Sequence, residues 1–212
     1  AGLMGIMRLG RRPLERVWGR RTLPDGFGDC AGERPVGEIW FENGARDPLL
    51  VKYLFTSERL SIQVHPDDEA ARADGHPGGK DEAWLVLDAE PGAVIGLGLR
   101  RPVSREALRA AALDGSLEAL VDWRPVKAGD AFFSPAGTIH AIGAGLTLIE
   151  VQQNVDLTYR LYDYGRPREL HLEAALAVAR PEPFAGGFAP FEPGPGRRVI
   201  AAGGAFTVER WS

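Results

Sequence analysis

Apolar positions in this chain recur mostly at every second residue, in short runs broken by glycine, proline and acidic turns. That period predicts strands. Leu49–Phe55 and residues 59–65 read as two strands joined by a turn at Thr56-Ser57-Glu58. Residues 83–88 and 93–97 form a second pair, and Ala131–Ser134, 138–142, 147–153 and 158–162 follow. Helical spacing intrudes briefly. Pro66-Asp67-Asp68-Glu69 opens a short helix with its acids in the first turn, where the helix dipole favours them. Residues 104–113 and 116–121 read as two helices with Ser104 and Ser116 at their N-caps, and residues 171–180 as a closing helix with Glu173 in its first turn. Short strands with a few helical insertions predict a mainly β protein, a jelly-roll barrel and not an alternating α/β sheet.

The ends of the chain carry a different pattern. The stretch up to Asn43 is rich in Gly, Arg and Pro, which predicts irregular chain with short strands, and Trp18 and Trp40 are expected to pack on the barrel. Residues 181–198 hold Pro181, Pro183, Pro190, Pro193 and Pro195, a linker composition, extended and mobile unless pinned. Beyond it, residues 205–211 alternate like a strand. The expected organisation is therefore a barrel domain over residues 1–180, a linker over 181–198 and a terminal strand over 199–212. That strand either starts a second small domain or completes the single barrel.

Composition narrows the classes. With 212 residues, 44% hydrophobic and 25% charged, the chain can bury a substantial core. A net charge of −4 gives no general attraction to nucleic acid or anionic membranes. No apolar run approaches the roughly 20 residues of a membrane helix, and residues 1–7 lack the charged start and long apolar core of a signal peptide. A single cysteine, Cys30, suits a reducing, cytoplasmic compartment and reads as an incidental thiol. Oligomeric state is not legible.

The candidate chemistry lies in three places. In Ser61-Ile62-Gln63-Val64-His65, the alternation puts Ser61, Gln63 and His65 on one strand face. Lys80 and Glu82 share a face where Gly79-Lys80-Asp81-Glu82 enters an apolar strand, and the turns at Gly129-Asp130 and Pro135-Ala136-Gly137 place His140 at the start of another. Two imidazoles, a carboxylate and an amide oxygen suit zinc or another divalent first-row ion. A lone histidine is more often an ordinary core or surface residue. Here, of four histidines, two fall on predicted strands beside polar partners, while His76 and His171 lie in a loop and at a helix start. The acids Asp67, Asp68 and Glu69 are better explained by helix-start chemistry than by a metal.

The spacing Gly129, Pro135, Gly137, His140 resembles the second motif of the cupin superfamily. The first cupin motif is only partly present, with Gln63 where many cupins carry a histidine and Glu82 farther along than usual. Together with residues 60–68 (L-S-I-Q-V-H-P-D-D), 79–82 (G-K-D-E) and 157–164 (L-T-Y-R-L-Y-D-Y), these departures resemble the class I mannose-6-phosphate isomerases in their short bacterial form. The resemblance runs from about Arg16 to about Ala179. It implies a cupin jelly-roll whose residues 1–180 form the metal-binding catalytic domain. It also implies one Zn2+ per chain held by Gln63, His65, Glu82 and His140, a catalytic arginine at Arg160, a pocket lysine at Lys80, a pocket serine at Ser61 and an acidic pocket residue at Glu150. The cupin asparagine four residues after the last histidine is replaced by Ala144.

What the resemblance implies is interconversion of mannose 6-phosphate and fructose 6-phosphate through an enediol(ate), with a small sugar phosphate as the partner. Such a reaction moves a proton between adjacent carbons, so it needs a base and charge stabilisation. Arg160 can supply a fixed positive charge, or can be a structural ion pair with Asp163 or Glu150. Lys80 can reach a bound sugar phosphate, or can be a solvated turn lysine. Glu150 competes with metal-bound water for the role of base. A non-catalytic sugar-phosphate-binding or regulatory cupin is the alternative. An iron or manganese oxygenase fits less well, because Gln63 replaces an imidazole.

Overall fold

The computed structural model describes residues 8–42, 47–186 and 189–212. The expectations for residues 1–7, for Asn43 and for Gly187 lie outside those residues. In chain order the first strands are β1 (Gly10–Arg20), β2 (Val36–Glu42), β3 (Leu49–Phe55), β4 (Ile62–Val64), β5 (Glu82–Ala89), β6 (Val94–Leu99) and β7 (Val121–Pro125). They are followed by β8 (Ala131–Ser134), β9 (His140–Ile142), β10 (Leu146–Gln153), β11 (Tyr159–Tyr162), β12 (Phe191–Gly194), β13 (Arg197–Ala202) and β14 (Thr207–Trp211). The helices are α1 (Asp68–Ala73), α2 (Arg105–Asp114), α3 (Leu117–Leu120) and α4 (Leu172–Val178).

Two antiparallel sheets face each other in the jelly-roll manner. One has the order β1-β2-β3-β10-β5-β8 and the other β11-β4-β9-β6-β7. Between them lies an apolar core of Trp18, Leu54, Leu60, Trp84, Val86, Leu97, Leu146 and Leu148. Alternation explains the rest of the packing. Ile62 and Val64 point away from that core and, with Ile139 and Leu161, are covered by Leu108 of α2 and Leu176 of α4. The helical insertions therefore serve as a lid on the outer face of the five-stranded sheet, and burying each such aliphatic side chain is worth about 1.5–3 kcal/mol. On the outer face of the six-stranded sheet Ile39 and Phe55 pack with Cys30 and Phe27, so the lone thiol is a small buried apolar residue.

The caps follow from side-chain chemistry. Asp67 accepts the Ala70 N–H at 2.9 Å and Ser104 accepts that of Ala107 at 3.1 Å, opening α1 and α2. Gly115, with φ of +84°, closes α2 in the left-handed conformation. Ser116 makes no capping bond with its side chain; Asp114 accepts the Ser116 N–H instead, at 2.8 Å.

Some elements differ from the sequence expectation. The N-terminal stretch forms the 11-residue β1, which tolerates Pro13 and its bulges because it is an edge strand. β7 starts where the helix over residues 116–121 was expected to end, and closes the other sheet as an edge strand stopped at Pro125. The proline-rich stretch is pinned: Leu99 N–H reaches Glu182 O at 3.0 Å, Val103 N–H reaches Pro181 O at 2.9 Å, and Phe184 packs on the inner core. Within residues 181–198, β12 and the start of β13 are strands, where composition alone suggested linker. β14 pairs with β13 in a separate three-stranded sheet that meets the barrel through Phe133 and Ala201, and it does not join either barrel sheet. Among the described residues no helix is long and apolar enough to cross a membrane.

Candidate metal centre and surrounding pocket

Sheet register places the candidate residues in facing rows. On the five-stranded sheet Arg160 lies opposite Gln63, and Gln63 opposite His140, so three of them form one row. Ser61 and His65 sit two residues to either side of Gln63, on the same face. On the six-stranded sheet one inner row runs Trp40, Lys52, Glu150, Trp84, Phe132, and the next runs Leu50, Gln152, Glu82, Ser134. The inner face is apolar at one end of the barrel and polar at the other.

Where the rows meet, His65, Glu82 and His140 each offer a ligand atom within 4.8 Å of the others, and all three residues are buried. Their hydrogen bonds decide what they can hold. His65 Nδ1 lies 2.8 Å from Leu157 O and His140 Nδ1 lies 2.9 Å from Thr138 O. A carbonyl oxygen only accepts, so both protons are on Nδ1 and both Nε2 lone pairs face inward. His65 Nε2 is 3.2 Å from Glu82 Oε1, and His140 Nε2 is 3.4 Å from Glu82 Oε2. These are acceptors facing acceptors. His65 Nε2 and Glu82 Oε2 find no hydrogen-bond donor, and Glu82 Oε1 has only the Lys80 ammonium beside it, a costly arrangement for buried atoms unless a cation lies between the three residues. The donor set thus fits a divalent first-row ion.

Electrostatics reinforce this. Burial, aided by the Lys80 ammonium, holds the His65 imidazole down to about 3, so it stays neutral and able to coordinate. Burial opposes ionisation of Glu82, but Lys80 Nζ, 2.8 Å from its Oε1, holds the carboxyl well below the ordinary range. Lys80 is itself buried. Burial works against its charge, and Glu82 and Glu150 raise it above the usual lysine value. Gln63 Nε2 approaches His140 Nε2 at 3.3 Å while its Oε1 accepts from Ser61 Oγ at 3.0 Å. For Gln63 to ligate through oxygen, its amide turns over.

Of these residues Ser61, Gln63, Lys80 and Glu82 line one cavity of about 460 Å³, which also receives Arg16, Trp18, Glu38, Lys52, Glu150, Arg160 and Arg168, while His65 and His140 lie behind its wall. A larger hollow of about 710 Å³ beside Arg59, Glu118 and Trp123 contains none of the candidate residues. The ion pair proposed as an ordinary role for Arg160 is not formed. Asp163 is engaged by Arg168 at 2.6 and 2.8 Å and by Arg166, and Glu150 by Lys52 at 3.2 Å. Among the described residues no carboxylate lies within ion-pair distance of Arg160, and burial and the neighbouring Arg168 lower its affinity for its proton. Two guanidinium groups therefore share the mouth of the pocket.

Sequence reasoning missed part of this wall. Lys52 sits between Glu150 and Glu38, with its Nζ 4.5 Å from the centre of the Trp40 ring, and Trp40 Nε1 donates to Glu38. Arg16 Nε donates to Glu38 at 2.8 Å, and Lys52 and Arg16 hold that carboxyl below its ordinary value against the effect of burial. The signal was available. Lys52 interrupts an apolar strand at an inward-facing position, which a solvated lysine has no reason to occupy.

A cupin-like barrel with a buried His-Glu-His cluster that could hold a metal ion, beside a cavity lined by lysine and arginine side chains, defines the class of fold and site. No family model matches the chain. The mannose-6-phosphate isomerase of Streptococcus mutans is 44% identical, over 62% of this chain and 43% of that protein. Mannose-6-phosphate isomerase ManA of Bacillus subtilis is 35% identical, over 77% of this chain and 64% of that one. The crystal structure of the Bacillus subtilis mannose 6-phosphate isomerase superimposes with a TM-score of 0.87 at 30% identity, covering 96% of this chain and 79% of the other. The chain belongs to the mannose-6-phosphate isomerase family. It spans between 43% and 65% of the length of the curated relatives it matches.

Proposed function

We propose that this chain is a zinc-dependent aldose–ketose isomerase that interconverts mannose 6-phosphate and fructose 6-phosphate. The observation that carries the reading is the row Arg160, Gln63, His140 facing Glu82 and Lys80 across a polar cavity, in a chain of this family. His65, Glu82 and His140 would hold the metal, with Gln63 as a weaker fourth ligand. When bound, the ion supplies Lewis acidity that stabilises negative charge developing on the sugar oxygens.

The remaining work falls to the chain's own groups. Arg160 and Arg168, at the cavity mouth, bind the phosphate dianion, with Ser61 donating a further hydrogen bond. Lys80 directs its ammonium at the oxygens carried by the first two sugar carbons and compensates the charge of the enediolate. Glu150 removes the proton from the carbon beside the aldehyde and returns it to the neighbouring carbon, while a hydroxyl proton passes from one oxygen to the other. Burial and the nearby Glu82 raise the Glu150 carboxyl above its ordinary value, which brings its basicity toward the working pH. Lys52 and Trp84 hold its two oxygens at 3.2 and 3.1 Å.

The test is conversion of mannose 6-phosphate to fructose 6-phosphate by the purified chain, with zinc and again after chelation. Turnover that is lost on chelation and restored by zinc is expected. A folded, zinc-loaded sample that binds the sugar phosphate without converting it would overturn the reading in favour of a binding module.

A further inference from the structure

The groups that hold a metal ion come from three separate segments, and an ion tolerates only small errors in their relative position. His65 lies just after β4, Glu82 begins β5, and His140 begins β9. Hydrogen bonds outside the cavity join these segments. Lys80 N–H reaches Pro66 O at 3.1 Å and Gly137 N–H reaches His65 O at 2.8 Å. The Asp81 carboxylate accepts the Ala136 N–H at 2.8 Å, and its own N–H donates to Gln153 Oε1 at 2.8 Å. Gln153 Nε2 in turn donates to Asp68 Oδ1 at 3.2 Å, which also accepts the Gly79 N–H at 2.8 Å.

Asp81 is the hub of this ring. Strand alternation turns its side chain away from the cavity that Glu82 enters, so it is not a ligand. Its partner Ala136 lies in the turn that delivers His140, four residues on. Among the described residues no other side chain joins the Glu82 segment directly to that turn through a backbone N–H. The acids of α1 also acquire a use here: Asp67 caps the helix, whereas Asp68 is spent on the loop that carries Lys80.

We infer that Asp81 is a positioning residue for the metal centre, setting its affinity by fixing the distance between Glu82 and His140 without touching the ion. The inference rests on the reading of His65, Glu82 and His140 as metal ligands. The role needs an acceptor oxygen at Oδ1, not a negative charge, and that distinguishes it from a general electrostatic effect on the site.

The experiment measures zinc affinity by competition with a chromophoric chelator for the parent chain, Asp81→Asn and Asp81→Ala. The visible spectrum of the cobalt-loaded forms and the thermal unfolding of the metal-free forms are recorded alongside. Asp81→Ala is expected to bind zinc about 10- to 100-fold more weakly, the usual effect of removing a group that orients metal ligands, and to show an altered cobalt spectrum. Asp81→Asn keeps an acceptor oxygen and is expected to stay within about threefold of the parent, with an unchanged spectrum. Unaltered affinity in a folded Asp81→Ala protein, or equal weakening in both variants, would overturn the inference. A parent chain that binds no zinc would instead overturn the metal-site reading. Should Asp81→Ala not fold, Gln153→Ala removes the acceptor of the Asp81 N–H and is expected to weaken binding about tenfold; an unchanged affinity there also overturns it.

Discussion

Lys52 and Glu150 face each other across adjacent strands, Nζ 3.2 Å from Oε1, with both side chains almost completely removed from solvent. The pair is shared, because Glu38 also approaches Lys52 and Glu82 adds negative charge near Glu150. Burial and Glu82 push the Glu150 carboxyl up, and Lys52 is the main force pulling it down. Replacing Lys52 by methionine removes that opposition. Since a base acts only when deprotonated, the acid limb of the pH–rate profile of Lys52→Met is expected to move to higher pH than in the parent. A limb that stays in place or moves down would exclude Glu150 as the group that titrates.

Metal binding and turnover separate at the two ends of the Arg160–Gln63–His140 row. His140→Ala and Glu82→Ala are expected to lose zinc and activity together, as read by metal analysis after dialysis. Arg160→Ala keeps every candidate ligand, so it should retain zinc while losing about 10²- to 10³-fold in kcat/KM, the scale of leaving a bound phosphate charge without its partner. A fully active Arg160→Ala would refute the role given to that arginine.

Gly79 is fixed by close approach of backbone to backbone. A Cβ there would lie 2.4 Å from the Asp67 carbonyl carbon and 2.5 Å from the Asp68 nitrogen, where nothing flexible can yield. Gly79→Ala is expected to cost about 2 kcal/mol of stability and to displace Lys80. Chemical denaturation measures the first effect, and weakened zinc binding reports the second.

Thr56 is buried and ties two strand ends together, accepting the Leu146 N–H at 2.9 Å and donating to Gly143 O at 2.8 Å. Thr56→Val keeps the shape and strands both backbone groups, so a loss of about 1–3 kcal/mol is expected. Zinc affinity should be unchanged, because the hydrogen bonds of Thr56 run to Arg20, Gly143, Gly145 and Leu146, none of which lines the cavity.

The strands that the sequence marked most clearly are those with strict alternation and hard stops. Leu49–Phe55 and Ala131–Ser134 have the expected bounds, the first because charged Lys52 did not break its period, the second because Gly129 and Pro135 bracket it. β1 was obscured by Pro13 and by arginines that look like loop residues but are acceptable on an edge. The candidate ligands were legible because alternation alone groups Ser61, Gln63 and His65. Glu38 and Arg168 were not, and Lys52 was marked only as a charge at an inward-facing position, since the pairing of these groups depends on β2, β3 and β10 lying side by side and on a loop folding back from Asp163. No periodicity within one strand carries that information.

The ligands of the candidate centre are divided between the two walls of the barrel: His65 and His140 belong to the five-stranded sheet and Glu82 to the six-stranded one. An ion coordinated by all three is a clasp between the two walls, and it ties β4 and β9 to β5. Opening the barrel there must release the ion, so zinc is expected to slow amide exchange in β4, β5 and β9 together by an amount that grows with free zinc concentration. Amides of β13 and β14, in the separate small sheet, should exchange at the same rate with or without it. Hydrogen exchange followed by mass spectrometry would thus read the centre as a mechanical element of the fold, independently of any turnover.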